Sequence, residues 1–259
     1  ATESTNYYAS LGYYSEDGTA KANSSVDRFT FRSNLDTQIT KWLKFGANVA
    51  LTYSKYSTIT TGWYTQSPIL QTVTGLPYYT PYELIYNEDG TISYGDVQQV
   101  YPWDNMIDLN EYYKYNTNDR ESVNLMGQTY FQITPVKGLT IRAQQAIDAF
   151  DYTNESLNMP SYTPFSERGR NSQAFQRYYQ LSSTNTIEYK NNINQKHFFT
   201  ALIGHESIIK RERTFSAVGT GLTDDRLTAF VSTTGIDSWK GNVIECAFNL
   251  SLIHISEPT

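Results

Sequence analysis

The stretch KWLKFGANVALTYSK, residues 41–55, sorts its side chains into two chemically different sets. Apolar side chains hold the odd positions from Leu43 to Tyr53. Small or polar side chains, such as Lys44 and Asn48, stand between them. Alternation with a period of two predicts a β-strand with one face in apolar surroundings and the other in polar surroundings. The apolar face either packs in a soluble sandwich or touches lipid around a barrel, and the function depends on which.

The composition narrows the class of protein. The 259 residues fit one all-β domain, and a net charge of -6 with scattered basic residues excludes a nucleic-acid-binding surface. The 22 tyrosines and 15% aromatic content favour strands. A single cysteine excludes an internal disulfide framework. No apolar run reaches the length of a membrane helix, but barrel strands give much weaker signals.

The same alternation recurs along the chain and predicts further strands. The predicted strands are residues 5–15, 27–39, 41–55, 122–133, 139–150, 178–190 and 196–209. Across the turn TPVKG, pairing Phe131 with Ile141 and Leu125 with Ile147 keeps apolar side chains opposite each other. The connections alternate in length. Short ones lie at 40–42, 134–138 and 191–195, and long ones at 16–26, 56–120, 153–177 and from about 210.

Strand length favours lipid over a soluble core. Ten residues at about 3.3 Å each, tilted near 45°, rise roughly 23 Å, close to the apolar band of about 25 Å on an outer-membrane barrel. Soluble sandwiches have shorter strands and no rule that every second loop is long. Aromatic residues near the predicted strand ends are expected to form interfacial girdles. These are Tyr13, Tyr14, Trp42, Tyr53, Tyr56, Tyr152, Tyr178 and Tyr189.

Four segments resemble the barrel hairpins of the SusC/RagA-type TonB-dependent transporters of the Bacteroidetes outer membrane. They are YYASLGYYSEDG, DRFTFRSNLDTQITKWLKFGANVALTYSK, PVKGLTIR and NQKHFFTALIGHE, and the second is the most specific. The resemblance implies an all-β fold, an antiparallel transmembrane β-barrel with short periplasmic turns and long extracellular loops. About eight strands of a roughly 22-stranded barrel are expected in this chain.

The resemblance also implies how the chain is organised. Nothing in it resembles a plug, so we expect residues 1–250 to be a partial barrel domain from inside a longer protein. The ending SLIHISEPT, residues 251–259, departs from the family and is expected to be a non-native read-through tail.

The function implied by the resemblance is import. The expected activity is uptake of oligosaccharides, or of peptides, captured with a SusD-like surface lipoprotein and driven by the TonB complex through the plug. The location is the cell outer membrane, with lipid as a further partner. The alternative is a secreted β-rich carbohydrate-binding module or adhesin, whose apolar strand faces are buried core.

Two groups of residues are candidates for binding. The connection 56–120 is long and rich in aromatic side chains, which predicts a folded extracellular loop rather than disorder. Ligand or lid contacts are predicted for Trp63, Tyr64, Tyr101 and Trp103, although these rings would also suit a small core within the loop. The polar strand faces are predicted to line the lumen through Arg28, Arg32, Asp36, Lys44, Arg142 and Asp148. In the alternative protein those six side chains form the solvated face of a soluble sheet.

The sequence contains no pattern typical of an enzyme. The three histidines lack metal-ligand spacing, and NEDGTISYGD lacks the glutamate that ends a calcium-binding loop. No serine elbow, paired carboxylates or Cys/His dyad stands out. We therefore predict no catalysis, no metal and no cofactor.

Overall fold

The computed structural model is one antiparallel sheet of eight strands that follow each other in chain order. The structure describes residues 4–18, 24–58, 116–160, 169–193 and 197–256. The strands are β1 (Thr5–Asp17), β2 (Ser25–Thr40), β3 (Leu43–Ser57), β4 (Thr117–Val136), β5 (Leu139–Asn158), β6 (Arg170–Ile193), β7 (His197–Thr220) and β8 (Gly235–Ser256). Within these ranges no helix is long and apolar enough to span a membrane. The predicted all-β, antiparallel fold class is confirmed.

The strand pairing keeps each parity on one face of the sheet. Leu51 on β3 pairs with Phe31 on β2 and Leu125 on β4, and throughout the regular ladders odd residues pair with odd ones. We call the two sides the odd face and the even face. The opening stretch therefore places its apolar side chains with those of its neighbours, and Lys44 and Asn48 on the other face.

The apolar side chains of the odd face are exposed rather than packed in a core. Leu51 is 39% exposed and Ile203 is 51% exposed. Among the described residues no second sheet covers them, and the buried apolar cluster is limited to Leu157, Met159 and Leu222, at the loop end of the sheet. A soluble sandwich buries such a face, whereas here it is exposed among the described residues, as expected of a face that meets lipid.

The predicted register of the β4–β5 hairpin is wrong by two residues. Phe131 pairs with Ala143, not Ile141, and Leu125 pairs with Ala149, not Ile147. Alternation fixes the face that a side chain occupies, but a slip of two residues preserves that face. The turn decides the register, and here an irregularity between Ile133 and Val136 precedes a turn that contains Gly138 at φ 89°.

The last strands are longer than predicted. β6 and β7 each contain 24 residues, and the connection expected at 153–177 narrows to 159–169. Beyond the predicted ends of these strands the odd face carries charged side chains. There Arg177 Nη2 lies 2.6 Å from Asp151 Oδ2. Alternation of apolar and polar side chains marks only the part of a strand that lies beside an apolar medium. Backbone pairing continues beyond it.

Half of the expected aromatic girdle lies on the wrong face. Tyr14, Tyr56, Tyr152 and Tyr178 have even numbers and lie on the even face. There Arg28 Nη2 donates to Tyr56 Oη at 3.0 Å. Closeness to a strand end does not decide the face of a side chain, whereas parity does. On the odd face, Tyr13 packs against Phe29 with 4.6 Å between ring centroids.

The odd face contains a polar band at mid-height, in which Gln145, Ser183 and Asn185 are joined in the same cross-strand rows by Thr129, His205, Ser207, Asn249 and Ser251. Gln145 Nε2 donates to Ser183 Oγ at 2.8 Å, and Asn185 Nδ2 donates to the same oxygen at 3.2 Å. Polar groups in an apolar medium need partners. These three side chains supply each other with partners.

Arginine substitutions test which face touches lipid. In the full-length protein refolded into bilayers, Leu51→Arg should lower the free energy of unfolding by about 2–4 kcal/mol, because a charge near the bilayer midplane is costly. Asn48→Arg, on the even face of the same strand, is the matched control and should cost much less. Denaturant titration measures both. An equal or larger cost at Asn48 would contradict a lipid-facing odd face.

Candidate functional site

The even face gathers the polar side chains of the sheet and is the candidate site. All six residues predicted to line a lumen lie on it: Arg28, Arg32, Asp36, Lys44, Arg142 and Asp148. Arg32 shares a cross-strand row with Asp148, and Lys44 shares one with Arg142. Strand pairing thus places Arg32 and Asp148 in the same row, although they lie more than one hundred positions apart in the sequence.

One cluster on this face depends on a glycine. The phenol of Tyr130 on β4 reaches across β3 and donates to Asp36 Oδ1 on β2 at 2.6 Å. Gly46, which is buried, lies beneath the ring, and a Cβ there would be 2.1 Å from Tyr130 Cε1. Arg142 covers the ring, with Cζ 4.1 Å from the ring centroid. Glycine permits this close crossing because it has no side chain.

Tyr130 is not among the site residues that the sequence predicts. A glycine inside a strand weakens the strand and often marks a place where another group approaches the backbone closely. Gly46 on the polar face was therefore a signal of such a close contact. The partner that approaches could not be identified without the β3–β4 register, which places Gly46 opposite Tyr130.

A shallow trough crosses β2 to β6 on the same face, with a volume of about 340 Å³. Its polar lining consists of Arg32, Asn34, Asn48, Gln128, Asp148, Gln180 and Ser182. Ala50 and Ala146 keep it open, because their side chains are too short to fill it. Asn34, Asn48 and Gln128 form one cross-strand row, which we call the amide row.

The chemistry of the trough suits the binding of a polar ligand. Side-chain amides both donate and accept hydrogen bonds, which fits ligands with mixed polar groups. The side chains of Arg32 and Asp148 make no ion pair or hydrogen bond with any other residue that the structure describes. Within the same ranges, no group of three or more His, Cys, Asp or Glu side chains is placed to hold a metal ion.

A second pocket, of about 690 Å³, lies near the loop ends of β6, β7 and β8. Its lining includes Tyr152, Phe175, Phe215 and Trp239. Sequence reasoning did not single out Trp239, whose side chain is 72% exposed. A tryptophan followed directly by Lys240 and Gly241 is the signal that the sequence offered.

Some predicted features fall outside the described residues. Trp63, Tyr64, Tyr101 and Trp103 all do, and their contacts stay predictions. β8 includes residues 251–256, the first part of the predicted non-native tail, and pairs there with β7.

Comparison with known proteins bears on the fold and its location. No protein-family model matches the chain. TonB-dependent receptor P26 of Formosa agariphila is 30% identical over 208 residues, which are 79% of this chain and 20% of the receptor. The RagAB peptide importer in its open-open state matches with a TM-score of 0.76 at 26% identity, over 99% of this chain and 28% of the solved one. These similarities support the resemblance of the chain to the SusC/RagA-type TonB-dependent transporters.

Further solved structures agree with this assignment. A structure of the RagAB peptide transporter matches 96% of this chain with a TM-score of 0.73 at 28% identity. The chain is thus a protein of the outer membrane. It spans 20% of the length of the curated relative and 28% of the length of the solved transporters.

The Tyr130 crossing provides a test of the even-face geometry. Gly46→Ala should displace Tyr130 from Asp36 and lower the free energy of unfolding by about 1–3 kcal/mol, the usual cost of losing a hydrogen bond to a charged group. Gly204→Ala is the matched control, because a Cβ there meets only Thr186 Cγ2 at an ordinary 3.9 Å. Denaturant midpoints in bilayers measure both variants. Equal stability of the two variants would contradict the crossing.

Proposed function

We propose that this chain forms part of the wall of a TonB-dependent importer that moves an oligosaccharide or a peptide across the outer membrane. The observation that carries the proposal is the chemical division of the sheet, with apolar odd residues exposed on one side and charged and amide side chains on the other. In an outer-membrane barrel the apolar side meets lipid and the polar side meets the lumen.

The even face would accordingly line the path of the substrate. Arg28, Arg32, Asp36, Lys44, Arg142 and Asp148 would then face the lumen, and the trough would lie along its wall. Their roles would be binding and passage, since the described residues hold no catalytic arrangement. Energy would come from the TonB complex acting on a plug, and capture would involve a SusD-like surface lipoprotein.

The substrate class is the finer part of the proposal. The RagAB structures are named as those of a peptide transporter and importer, which supports a peptide as cargo. The name of the Formosa receptor specifies no cargo. An oligosaccharide and a peptide both suit a wall rich in amides, since both present donors and acceptors.

Uptake in whole cells tests the proposed function. A strain deleted for the intact transporter should lose uptake of labelled short peptides or oligosaccharides and regain it with the wild-type gene. Because import needs coupling to the inner membrane, uptake should also fall to background when TonB is removed. Equal uptake with and without TonB would overturn the proposal. So would an intact protein that stays soluble without detergent.

The long loop yields a separate expectation. Binding residues are often on loops held by a rigid scaffold, so Trp103→Ala and Trp63→Ala should each lower uptake or lid affinity while the amount of heat-modifiable barrel is unchanged. Trp42→Ala, in the turn at the opposite end of the sheet, is the control and should leave uptake per assembled barrel intact. Loss of folded barrel in proportion to uptake would assign both tryptophans to the core of the loop instead.

A further inference from the structure

Two neighbouring rows of the odd face carry charges where the aliphatic side chains of β5 to β7 end. In one row, Arg177 on β6 pairs with Asp151 on β5 and with Arg213 on β7. In the adjacent row on the turn side, Arg211 on β7 pairs with Glu245 on β8. We call the three arginines the arginine cluster. Three positive and two negative side chains leave these rows with one positive charge in excess.

The height of the arginine cluster follows from strand geometry. On β6 the odd face runs from Tyr189, near the turn end, to Tyr179, which shares a row with Arg211. The two tyrosines lie ten residues apart, a rise of roughly 23 Å at about 3.3 Å per residue and a tilt near 45°. This rise nearly fills the apolar band of about 25 Å on an outer-membrane barrel, whose long loops are extracellular. The cluster therefore lies at the level of the headgroups of the outer leaflet.

Two members of the cluster face each other directly. Arg177 and Arg213 are cross-strand partners, and like charges in this position destabilise a sheet. Arg177 Nη2 is 2.6 Å from Asp151 Oδ2, and Arg211 Nε is 2.9 Å from Glu245 Oε1. Arg213 is exposed and makes no ion pair or hydrogen bond with any other residue that the structure describes. Its guanidinium is therefore available to an anion, which would also relieve the repulsion from Arg177.

Apolar side chains of two kinds lie on either side of the cluster. On the loop side, Phe215 follows Arg213 by one row, and Trp239 lies one row further. Each row adds about 5 Å of height, since it advances two residues along a tilted strand. Both rings are exposed. The row on the turn side is aliphatic and also exposed, with Ile147, Leu181 and Ile209.

This vertical order matches the parts of one class of lipid. Acyl chains pack on aliphatic side chains, phosphate groups accept paired hydrogen bonds from guanidinium groups, and sugar rings stack on exposed aromatic rings. A phosphorylated glycolipid presents acyl chains, phosphate and sugars in that order from the bilayer outward. A glycerophospholipid ends close to its phosphate and does not reach the level of Trp239.

We propose that the arginine cluster binds the phosphate of a glycolipid of the lipopolysaccharide class, with acyl chains on the aliphatic row and sugars against Phe215 and Trp239. This inference rests on the proposed function, because it needs the odd face to meet the lipid of the outer membrane. Arg213 supplies the unpaired charge, and Arg177 supplies the second guanidinium. The site lies on the outside of the barrel, away from the path of the substrate.

Native mass spectrometry of the intact transporter, stripped of lipid in detergent, measures this binding. The probes are a short-core lipopolysaccharide, the same lipid with its phosphates removed, and phosphatidylglycerol. Wild type should bind the phosphorylated glycolipid roughly tenfold more tightly than the dephosphorylated one, as expected for charged hydrogen bonds. Arg213→Gln should lose this preference. Trp239→Ala should weaken binding of the lipopolysaccharide and leave binding of phosphatidylglycerol unchanged.

Arg120→Gln is the matched control. Arg120 is exposed on the even face near the loop end, so this variant removes the same charge from the opposite side of the sheet. It should bind all three probes as wild type does. Heat-modifiable gel mobility shows whether each variant is an assembled barrel. A lost preference in an assembled Arg213→Gln barrel belongs to phosphate recognition and not to folding.

The failures of the two proposals are distinguishable. An assembled barrel that binds the glycolipid equally with and without phosphates would overturn the lipid site and leave the importer standing. The same conclusion would follow if Arg213→Gln kept the wild-type preference, or if phosphatidylglycerol bound as tightly as the lipopolysaccharide. An intact protein that stays soluble without detergent would overturn both.

Discussion

The structure depends on one constraint: each strand's backbone must be paired on both sides where its surroundings are apolar. In lipid an unpaired N–H or C=O group costs several kcal/mol, so a spanning sheet must keep continuous ladders. Seven consecutive antiparallel ladders pair β2 to β7 on both sides, and β1 and β8 on one side each. Since pairing in these ladders preserves parity, the same constraint also assigns side chains to faces. One face can then be apolar throughout without any core behind it.

The functional surface follows from this division rather than from a dedicated pocket. Charged and amide side chains that alternate with apolar ones on single strands are merged by the register into rows on the even face. Arg32 and Asp148 become neighbours of one trough in this way, as do Asp36 and Tyr130 around Gly46. Short side chains matter as much as long ones, because Gly46 and Ala50 make room for the polar groups around them.

The two ends of the strands obey different physics. At mid-height the odd face of β2 to β5 is mostly apolar, and in the polar band that crosses it Gln145, Ser183 and Asn185 hydrogen-bond to one another. Toward the loops the same face carries the Arg177–Asp151 ion pair, and the only buried apolar cluster among the described residues forms around Leu222. The strands therefore pass from a lipid-like environment into water without any break in pairing.

The amino-acid sequence by itself determined the class of fold and the face of each side chain. A period of two is a local property, so the opening stretch already separated Leu51 from Lys44, and the same alternation along other strands predicted the remaining five of the six polar-face residues. Register, strand ends and neighbours across the sheet depend on turns and on distant strands, and these were decided only by the tertiary structure. Alternation cannot detect a slip of two residues, which is why Phe131 was assigned the wrong partner. It also ends where the apolar medium ends, which is why β6 was predicted too short. The placement of Arg32 and Asp148 in one cross-strand row needed all three ladders between β2 and β5.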